Sequence, residues 1–387
     1  MENLKDLLIA LDNSQGKITM FADGFVDEVW EIVASRTDLS NYTLYSKMNQ
    51  FAQRISRSGS GGVGLELLAK RRAFGGFTPN IGYAAARLGV KASLIGAYGK
   101  DCFDPLFEEV NELCDMYSLD DPAVTHVFEF DDGKLLMSHL GNVQNITWQQ
   151  IVDTLGIDKI KSLLAESDII GVGYWSLVPA FDEILVQVCS LIPQDGKKRR
   201  FFFDFADFQK KDVSSLNQSL ALLKKYNPLF PMTLSVNEHE AAALFAQYDK
   251  TLDETDSIEE NTEFVRQQIG KADLIKENTE FVRQQIGKAD LIKENTEFVR
   301  QHIGFDELII HTPHYAVGTA STEAPSFAAS VFVEKPLRSA GAGDTFNGGY
   351  LAASLAGLKM KDRLQIANAA VGYFLRTATF PTTDHLR

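Results

Sequence analysis

The glycine-rich segment 338–349 holds the residues of this chain that are best suited to chemistry. Its sequence is RSAGAGDTFNGG, and the apolar stretch that follows it, 350–355, is typical of a packed helix. Small residues allow backbone amides to converge on an anion, and the N-terminus of a helix favours phosphate. Asp344 would lie beside that phosphate, where a carboxylate can take the proton from a hydroxyl that attacks a phosphoryl group. The segment therefore predicts phosphoryl transfer to an alcohol.

Further motifs precede this segment in the chain. The sequence GGFTPNIGYAAARLG at 75–89 predicts a Gly-Gly turn and an alanine-rich helix that ends in Leu-Gly. A strand and loop are predicted at 95–101, with the sequence IGAYGKD, and the sequence NEHE occurs at 237–240. In this order, from about residue 20 to the C-terminus, the motifs resemble those of the PfkB (ribokinase-like) sugar kinases.

The resemblance implies an ATP-dependent phosphotransferase that acts on a hydroxyl of a sugar or nucleoside. In the family, the residue that matches Asp344 is the catalytic base, and the amides of the Gly-Ala-Gly turn hold the phosphate. We therefore expect catalytic roles for Asp344, Gly341, Ala342 and Gly343. The alternative from the local sequence is that Asp344 only caps a helix, since Asp is common in a first turn.

The resemblance also assigns residues to the sugar or nucleoside. We expect the substrate to contact Asp27, Gly75, Gly76 and Asn80. A carboxylate accepts hydrogen bonds from two hydroxyls, which suits a polyol, and glycines permit a close approach of backbone to ligand. Asp23 competes with Asp27 for this role, and Ala22 stands where the family usually carries a glycine.

On the nucleotide side, the resemblance implies Mg²⁺ near Asn237 and Glu240. It implies ATP near Asn237, Thr312 and Asn368. Magnesium keeps several waters and takes few protein ligands, so two protein groups would suffice. The local sequence offers another interpretation, in which Asn237 caps the helix 238–247 and Glu240 completes a capping box. Asn368 could equally be an ordinary residue on the surface of a C-terminal helix.

Departures from the family pattern bear on specificity. Arg338 stands where many relatives carry an acid linked to a monovalent cation site, and a guanidinium would repel potassium. We therefore expect little stimulation by potassium. His314 replaces a glycine of the nucleotide turn that follows Thr312. Phe77 and Pro79 make the substrate turn apolar, which favours a substrate with an apolar or aromatic group, such as a nucleoside.

The elements that must position these residues alternate along the chain. Strands are predicted at 18–22, 92–97, 169–172, 201–205, 233–236 and 308–312. Helices are predicted at 79–88, 103–117, 147–165, 179–191, 214–226, 238–247 and 344–356. Strands separated by helices indicate an α/β fold with a doubly wound, mostly parallel sheet flanked by helices. We predict one ribokinase-like domain over 1–387, with ligands at the carboxyl ends of the strands.

Residues 28–74 interrupt this alternation because they lack helical periodicity. The resemblance implies that they form a small β-rich lid over the sugar, with a contribution from 124–140, and it allows a homodimer through that lid. The stretch 59–64 also matches the pattern GxGxxG, but it follows no strand and opens no helix. A turn of the lid is therefore the better interpretation of these glycines than a dinucleotide site.

An exact internal repeat occupies part of the C-terminal half. The segment 260–276 recurs without change at 277–293 and again, in part, at 294–304, where His302 replaces a glutamine. One copy would supply the helix that leads into the strand 308–312, with Ile258, Val265 and Ile269 at helical spacing and Gly270 as its C-cap. The extra copies, 260–293, are interpreted as a surface insertion from a tandem duplication or an assembly error.

Composition limits the class of protein. The chain has 387 residues, 45% hydrophobic and 23% charged, as in globular proteins with a large core. Its formal net charge of −14 argues against nucleic acid or an anionic membrane as a partner. Three widely spaced cysteines argue against a disulfide framework and favour the cytoplasm. The first residues predict an amphipathic helix, not a signal peptide, and no apolar run is long enough to cross a membrane.

Two other functions fit parts of the sequence. A vitamin-like alcohol as substrate is disfavoured by the complete substrate motif at 75–89. A catalytically weak, kinase-like sugar sensor or scaffold is kept open by the altered turn at 312–314 and by the insertion, whereas the retention of Asp344 argues for an enzyme.

Overall fold

The structure is a computed structural model that describes residues 2–248 and 274–387, with side chains described at 5–248 (except Gln209) and 289–387. Its strands are β1 (Lys17–Phe21), β2 (Phe25–Arg36), β3 (Tyr42–Leu44), β4 (Glu66–Gly75), β5 (Lys91–Gly96), β6 (Asp115–Ser118), β7 (Ala123–Phe130), β8 (Gly133–His139), β9 (Ile169–Val172), β10 (Arg200–Asp204), β11 (Met232–Asn237), β12 (Glu307–His311), β13 (Tyr315–Ala320) and β14 (Ser326–Ala329). Its helices are α1 (Glu2–Asp12), α2 (Met48–Ser56), α3 (Phe77–Arg87), α4 (Glu108–Asn111), α5 (Trp148–Leu155), α6 (Ile157–Glu166), α7 (Phe181–Leu191), α8 (Val213–Tyr226), α9 (Glu238–Ala246), α10 (Leu274–Ile303), α11 (Ala342–Leu355) and α12 (Met360–Thr377).

The main sheet has nine strands in the order β14-β13-β12-β11-β10-β9-β1-β5-β6. All neighbouring pairs from β12 to β6 are parallel, and β13 and β14 are antiparallel additions at one edge. The predicted α/β fold with a mostly parallel, helix-flanked sheet is therefore confirmed. The chain order reverses at β1, whose two neighbours are β9 and β5, and such a switch point opens a crevice at the carboxyl ends of the strands.

Burial explains why apolar runs became strands of this sheet. In β10, all of Phe201, Phe202 and Phe203 are fully buried, because helices cover both faces of a parallel sheet. Phe201 and Phe203 belong to the apolar cluster on one face, and Phe202 belongs to the cluster on the other face. The strand thus anchors two cores at once and fixes the position of its carboxyl end, at Asp204.

A second sheet of five strands lies apart from the first. Its order is β3-β2-β7-β8, and β4 pairs with β2 on the other side. We call these five strands the lid sheet. They overlap the regions 28–74 and 124–140 that the sequence predicts as lid, but β2 begins at Phe25, β4 ends at Gly75 and β7 begins at Ala123. Helix α2 lies in the same region, and the closure of this sheet over a substrate stays a prediction. The 59–64 glycines lie between α2 and β4, outside any helix or strand.

Two helix predictions were wrong in part. The region 103–117 holds only a short 3-10 turn and the one-turn α4, because the chain then joins the sheet edge as β6, parallel to β5. The predicted helix 147–165 is divided into α5 and α6 at Gly156, whose φ of 77° is incompatible with a continuous helix.

The last repeat copy forms the end of α10, which leads into β12 as predicted. The helix ends at Ile303, and Gly304 follows it with a φ of 74°. From Ala289 onward, α10 buries Ile292, Val299 and Ile303. The predicted helical face at 258–269 and the predicted C-cap at Gly270 lie outside the described residues. Within the described part of the chain, no helix is both long and apolar enough to span a membrane.

Candidate active site

The glycine-rich segment turns directly into α11. Gly341 is the N-cap residue and has a φ of 87°, a conformation that L side chains rarely adopt. The Ala342 amide donates to the Ser339 carbonyl at 3.2 Å, which closes the turn. The Thr345 amide donates to the Gly341 carbonyl at 2.9 Å. The amides of Gly343 and Asp344, before it, have no carbonyl partner within the helix, so they are available to an anion. The amides of Gly343 and Asp344 are therefore the best candidates to bind the predicted phosphate.

Asp344 lies in the first turn of α11 and is buried. Its Oδ2 accepts a hydrogen bond from Nδ2 of Asn80 at 2.8 Å, and its Oδ1 accepts one from the hydroxyl of Tyr174 at 2.7 Å. The two donors come from α3 and from the loop after β9, so three separate elements fix one carboxylate. The group is oriented by its neighbours and does not act as a simple helix cap, since the N-cap position belongs to Gly341.

The environment of Asp344 shifts its titration toward neutral pH. Burial raises the pKa of Asp344 to about 6, against the opposing effect of the bonds from Tyr174 and Asn80 and the charges of Lys134 and Arg338. A carboxylate with a pKa near neutrality is ionised at pH 7 and is still basic enough to accept a proton. The arrangement therefore suits a general base.

The substrate-side turn is held by Asp23. Its carboxylate accepts hydrogen bonds from the amides of Phe77 at 2.8 Å and Thr78 at 2.7 Å, at the start of α3. Burial raises the pKa of Asp23 to about 7. Because these amides occupy its oxygens, Asp23 positions α3. Ala22, which stands where the family usually has glycine, has a φ of 111°, in the region that favours glycine.

Asp27 lies on β2 of the lid sheet, within reach of the charges of Arg338, Lys134 and Asp344. Burial raises the pKa of Asp27 to about 6, and the positive charges of Arg338 and Lys134 oppose the shift. A Cβ added at Gly75 would lie 2.8 Å from the Asp27 carboxyl group, so only glycine leaves room there. Gly76 has a φ of 101°, which also requires glycine. Asn80 keeps a buried Oδ1 without a hydrogen-bond partner, which can accept from a substrate hydroxyl.

Asn237 and Glu240 form the capping box that the local sequence predicts. Oδ1 of Asn237 accepts from the Glu240 amide at 3.0 Å, and Oε2 of Glu240 accepts from the Asn237 amide at 2.9 Å. Burial raises the pKa of Glu240 to about 7, and the charges of Asp207 and Asp344 add to the shift. Among the described residues, no three His, Cys, Asp or Glu side chains cluster closely enough to hold a metal ion alone.

Asp204, at the end of β10, was missed at the sequence level and belongs to the same acidic region. Burial raises its pKa well above the usual value, and the charges of Glu240 and Asp344 add to this. Its Oδ2 accepts from Nδ2 of Asn347 at 2.9 Å, and Oδ1 of Asn347 accepts from the Ser235 hydroxyl at 2.6 Å. Asn347 follows Asp344 by three residues on α11, so this chain of bonds ties the helix to β10 and β11.

Two predicted nucleotide contacts use their side chains within the protein. The Thr312 hydroxyl accepts from the amides of His314 and Tyr315, at 3.1 and 3.0 Å, and so closes the hairpin between β12 and β13. Nδ2 of Asn368 donates to the carbonyls of Ala328 and Ala329, which joins α12 to β14. Both side chains form hydrogen bonds that hold the fold together. Their contact with ATP stays a prediction.

Phe77 and Pro79 do not give the substrate turn an exposed apolar surface. Both are buried, and Phe77 is fully enclosed, with Tyr174 and Phe202 against its ring. Their apolar character serves the core, because the start of α3 packs onto the main sheet. The sequence-based argument for an aromatic substrate therefore loses its support.

Arg338 is buried among aromatic rings. Its guanidinium donates to the Ala340 and Phe74 carbonyls and lies 5.1 Å from the centroid of the Phe374 ring. Its charge lowers the pKa of both Asp27 and Asp344. A fixed cation therefore lies beside the glycine-rich segment, as the sequence indicates, and the weak potassium dependence stays a prediction.

Sequence reasoning also missed Tyr174, Lys134 and His311, which carry no motif. His311 ends β12, opposite Asn237 in register, and its buried Nε2 has no hydrogen-bond partner. Burial lowers the pKa of His311 to about 4, so it is neutral. A Cβ added at Gly343 would lie 3.2 Å from Cε1 of His311, which explains why glycine occupies this position. Only their positions in the chain could have indicated these residues. Tyr174 follows β9, His311 ends β12, and Lys134 lies in the predicted lid region 124–140.

Comparison with known proteins places this chain in a family. A family model described as prokaryotic ketohexokinase matches residues 9–285. A second model, described as pfkB family carbohydrate kinase, matches residues 265–374. A ketohexokinase from Haloferax volcanii is 23% identical over 378 residues, which cover 96% of this chain and 90% of the relative.

Solved structures share the fold at low sequence identity. The adenosine kinase of Sinorhizobium meliloti superposes with a TM-score of 0.59 at 14% identity, covering 94% of each chain. The ribokinase of Arabidopsis thaliana, complexed with ribose and ATP, superposes with a TM-score of 0.60 at 13% identity and covers 96% of this chain and 97% of its own.

Proposed function

This chain belongs to the PfkB family of carbohydrate kinases, through the members described as prokaryotic ketohexokinases, and we propose that it transfers the γ-phosphoryl group of ATP to a hydroxyl of a ketohexose. The observation that carries the proposal is the Asp344 carboxylate, buried at the start of α11 and fixed by Asn80 and Tyr174. Family membership gives the class of enzyme, and the oriented carboxylate beside a helix N-terminus supports the proposed chemistry.

The reaction follows from the placement of the charges. The sugar hydroxyl donates its proton to Asp344, and its oxygen forms a bond to the γ-phosphorus of ATP. The bond from that phosphorus to the oxygen bridging it to the β-phosphate breaks, and ADP leaves with the electron pair. The free amides of the first turn of α11, with Gly341 as N-cap, stabilise the charge on the phosphoryl oxygens as it shifts. Asp27 and Oδ1 of Asn80 bind and orient the sugar hydroxyls.

The acidic region around Asn237 and Glu240 fits a magnesium ion. Besides burial, the charges of Glu240 and Asp344 raise the pKa of Asp204, and the charges of Asp207 and Asp344 raise that of Glu240, so acidic groups are concentrated in this region. A magnesium ion held there would offset the charge of the ATP phosphates, and it would keep most of its water ligands. Asn237 and Glu240 would hold it by hydrogen bonds to those waters, consistent with their capping box.

Ketohexoses are the first candidates for the sugar. Support comes from the family description and from the Haloferax relative, which is a ketohexokinase. A nucleoside is the second candidate within the same class, because the adenosine kinase of Sinorhizobium shares the fold. The burial of Phe77 and Pro79 weakens that alternative. ATP as donor is supported by the complex of the Arabidopsis ribokinase with ribose and ATP.

The test is ADP release by the purified protein over a panel of ketohexoses, aldohexoses, pentoses and nucleosides with ATP and Mg²⁺. We expect the highest kcat/KM for a ketohexose. The Asp344→Asn variant should bind ATP and lose about 10²–10⁴-fold in kcat, the usual effect of losing a general base. Near wild-type turnover in this variant would exclude the base role. No turnover with any of these acceptors in the wild type would favour the sensor or scaffold interpretation.

Two properties of the whole protein belong to the same proposal. We place the enzyme in the cytoplasm, which the three free cysteines support, since Cys114 and Cys189 are buried and Cys102 is exposed without a disulfide.

We also place a homodimer at the lid sheet, where Leu67, Leu136 and Met137 are 42%, 50% and 56% exposed. Light scattering of the purified protein would measure the oligomeric state, and a monomer at micromolar concentration would contradict the dimer.

A further inference from the structure

Arg338 lies where the glycine-rich segment, the lid sheet and the last helix meet. Its Nε donates to the Ala340 carbonyl at 3.1 Å, inside the turn that leads into α11. Its Nη2 donates to the Phe74 carbonyl at 3.3 Å, near the end of β4 in the lid sheet. The amide of the preceding residue, Leu337, donates to the Leu375 carbonyl of α12 at 2.8 Å. Two neighbouring residues thus join the lid sheet and α12 to the turn that holds the predicted anion site.

Three aromatic rings, which we call the aromatic cage, surround the guanidinium. The ring centroids of Phe374, Phe380 and Phe74 lie 5.1, 5.7 and 6.0 Å from its central carbon. The chain turns at Ala378, which ends α12 with a φ of 58°, and Phe380 then stacks on Phe74 with 5.7 Å between the ring centroids. Aromatic faces attract a cation more strongly where water is excluded, and Arg338 is only 8% exposed. The cage therefore fixes the position of the charge.

This buried charge has no carboxylate in direct contact. Burial lowers the pKa of Arg338, and the charge of Arg71 acts in the same sense. The charges of Asp27, Glu109 and Asp344 oppose the shift, but none of them forms a salt bridge with Arg338 in the described part of the chain. A buried cation without a paired anion is costly, and an apolar side chain of similar volume is often equal or better for stability. Stability alone therefore does not account for an arginine at this position.

The charge acts on both carboxylates of the proposed reaction. Burial raises the pKa of Asp344 and of Asp27 to about 6, and Arg338 and Lys134 oppose both shifts. Without the guanidinium, a larger fraction of Asp344 would be protonated at pH 7, and a protonated carboxyl group cannot accept the hydroxyl proton. Because a guanidinium keeps its proton in proteins, this charge is constant over the working range of pH.

The hydrogen bond to Ala340 also acts on the backbone. The Ala340 carbonyl shares a planar peptide unit with the amide of Gly341, the N-cap residue of α11. A fixed carbonyl therefore fixes the direction in which the chain enters the helix. The amides of Gly343 and Asp344, which are available to an anion, follow within the same turn.

Resting on the proposed function, we propose that Arg338 is a positioning residue for phosphoryl transfer, an internal cation that fixes the turn before α11 and provides a permanent positive charge beside Asp27 and Asp344. It contacts neither the sugar nor the nucleotide, and it exchanges no proton. The segment that follows α12 then belongs to the active-site architecture, because Phe380 completes the aromatic cage.

The test compares Arg338→Met with Arg376→Met, which removes the same charge from an exposed position on α12. With ATP and the best acceptor of the panel, we expect Arg338→Met to lose about 10–10²-fold in kcat, and Arg376→Met to stay within about twofold of the wild type. The Tm of Arg338→Met should be equal or higher, since an unpaired buried charge is removed. The acidic limb of its kcat/KM should move up by about 0.5–1 pH unit, because the pKa of Asp344 rises.

A second variant separates positioning from folding. Arg338→Ala should regain part of its kcat in millimolar guanidinium chloride, because the free ion can occupy the vacated cage. A kcat of Arg338→Met within twofold of the wild type would overturn the proposal. A lower kcat with a lower Tm, an unmoved limb and no response to guanidinium would also overturn it, because Arg338 would then serve the fold alone.

A binding measurement keeps this test independent of the acceptor. Arg338→Met should bind Mg²⁺-ADP about 3–10-fold more weakly by calorimetry, since the amides of the turn are less well placed, while Arg376→Met binds as the wild type does. If the wild type binds Mg²⁺-ADP but phosphorylates no acceptor, the proposed function fails, and the affinities still test Arg338. Equal affinities of the wild type and Arg338→Met would contradict its role in fixing the turn.

Discussion

At the residue scale, the site consists of carboxylates that the fold keeps out of water. Asp23, Asp27, Glu240 and Asp344 all have their pKa raised, to between about 6 and 7, chiefly by burial. A carboxyl group whose folded pKa lies above its unfolded value binds protons more tightly in the native state, so its contribution to stability falls as pH rises through the interval between the two. The charges that serve binding and catalysis near pH 7 therefore weaken the fold there.

Tyr174 tunes the base, and its removal should be visible in the pH profile. The wild-type kcat/KM should fall as pH drops through about 6, because Asp344 must be ionised. The hydrogen bond from Tyr174 lowers the pKa of Asp344, so Tyr174→Phe should raise that pKa and move the acidic limb up by about 0.5–1 pH unit. Tyr83→Phe, which removes a hydroxyl bonded to Glu109, is the matched control. An unmoved limb in Tyr174→Phe would show that the limb reports another group.

Glu240 offers a test of the metal site. Glu240→Gln retains an oxygen that can accept from the Asn237 amide but removes a negative charge, so it should keep the helix cap and weaken attraction for Mg²⁺. We expect a several-fold higher Mg²⁺ concentration for half-maximal rate, measured by ADP release. Glu238→Gln changes the same charge two residues earlier, on another side of α9, and should leave the titration unchanged. Identical titrations for all three proteins would confine Glu240 to the capping box.

At the element scale, the close packing of α3 on α11 brings Asn80 to Asp344. A Cβ added at Gly348 would lie 2.4 Å from Cβ of Ala84, so the two helices approach more closely than any side chain would permit. The start of α3 is fixed by Asp23, and the start of α11 by Asn347, which bonds Asp204. The base is therefore positioned by contacts on both sides of its own helix.

Gly348→Ala should separate these helices. The added methyl group meets side-chain and backbone atoms of α3, and overpacking of this kind costs about 1–3 kcal/mol. We expect a lower Tm by thermal unfolding and, because the bond from Asn80 to Asp344 is disturbed, a lower kcat. Gly64→Ala adds the same methyl group in open space and is the control. If Gly348→Ala were as stable and active as Gly64→Ala, the space between α3 and α11 could accommodate a methyl group without loss.

At the scale of the whole molecule, the interpretation of the repeat copies 260–293 as a surface insertion stays a prediction. Among the described side chains of α10, Ala289 and Ile292 are buried, and Ile292 packs with Tyr315 and Val317 at the edge of the main sheet. The motifs of the active site lie on either side of the repeat, and the main sheet continues from β11 directly to β12. The segment 260–293 therefore fits the interpretation of a tolerated insertion.

Removing repeat copies should leave an active enzyme. Deletion of 277–293 places Ala272 and Ile275 in the positions of Ala289 and Ile292, so the buried face is unchanged. Deletion of 260–293 places Thr255 and Ile258 there and keeps the apolar contact with Tyr315 and Val317. We expect both shortened proteins to fold with equal or higher Tm and to retain kinase activity, since surface insertions add little to stability.

An out-of-phase deletion is the control for this prediction. Removal of 279–293 would place Glu277 in the position of Ile292, against Tyr315 and Val317, and the buried charge should destabilise the protein. Loss of soluble protein or of activity in the in-phase deletions would show that the extra copies belong to the core or to an obligatory interface.

The sequence by itself determined the class of fold, the enzyme family and the candidate base. Apolar strands alternating with helices predict a doubly wound sheet, and the local pattern of glycines before Asp344 predicts an anion site at a helix start, because these signals depend on neighbours in the chain. The sequence also predicted the capping box of Asn237 and Glu240, three residues apart, which the structure contains.

Only the tertiary structure decided which residues meet Asp344. Asn80, Tyr174 and Lys134 approach the same site from α3, from the loop after β9 and from the lid sheet, and no spacing in the sequence records these distances. The structure also showed that the Asp23 carboxylate accepts a hydrogen bond from the start of α3 and that the Phe77 ring is buried in the core. The physical reason is that burial, and with it the pKa of every carboxylate in the site, arises from packing between elements that are remote in the chain.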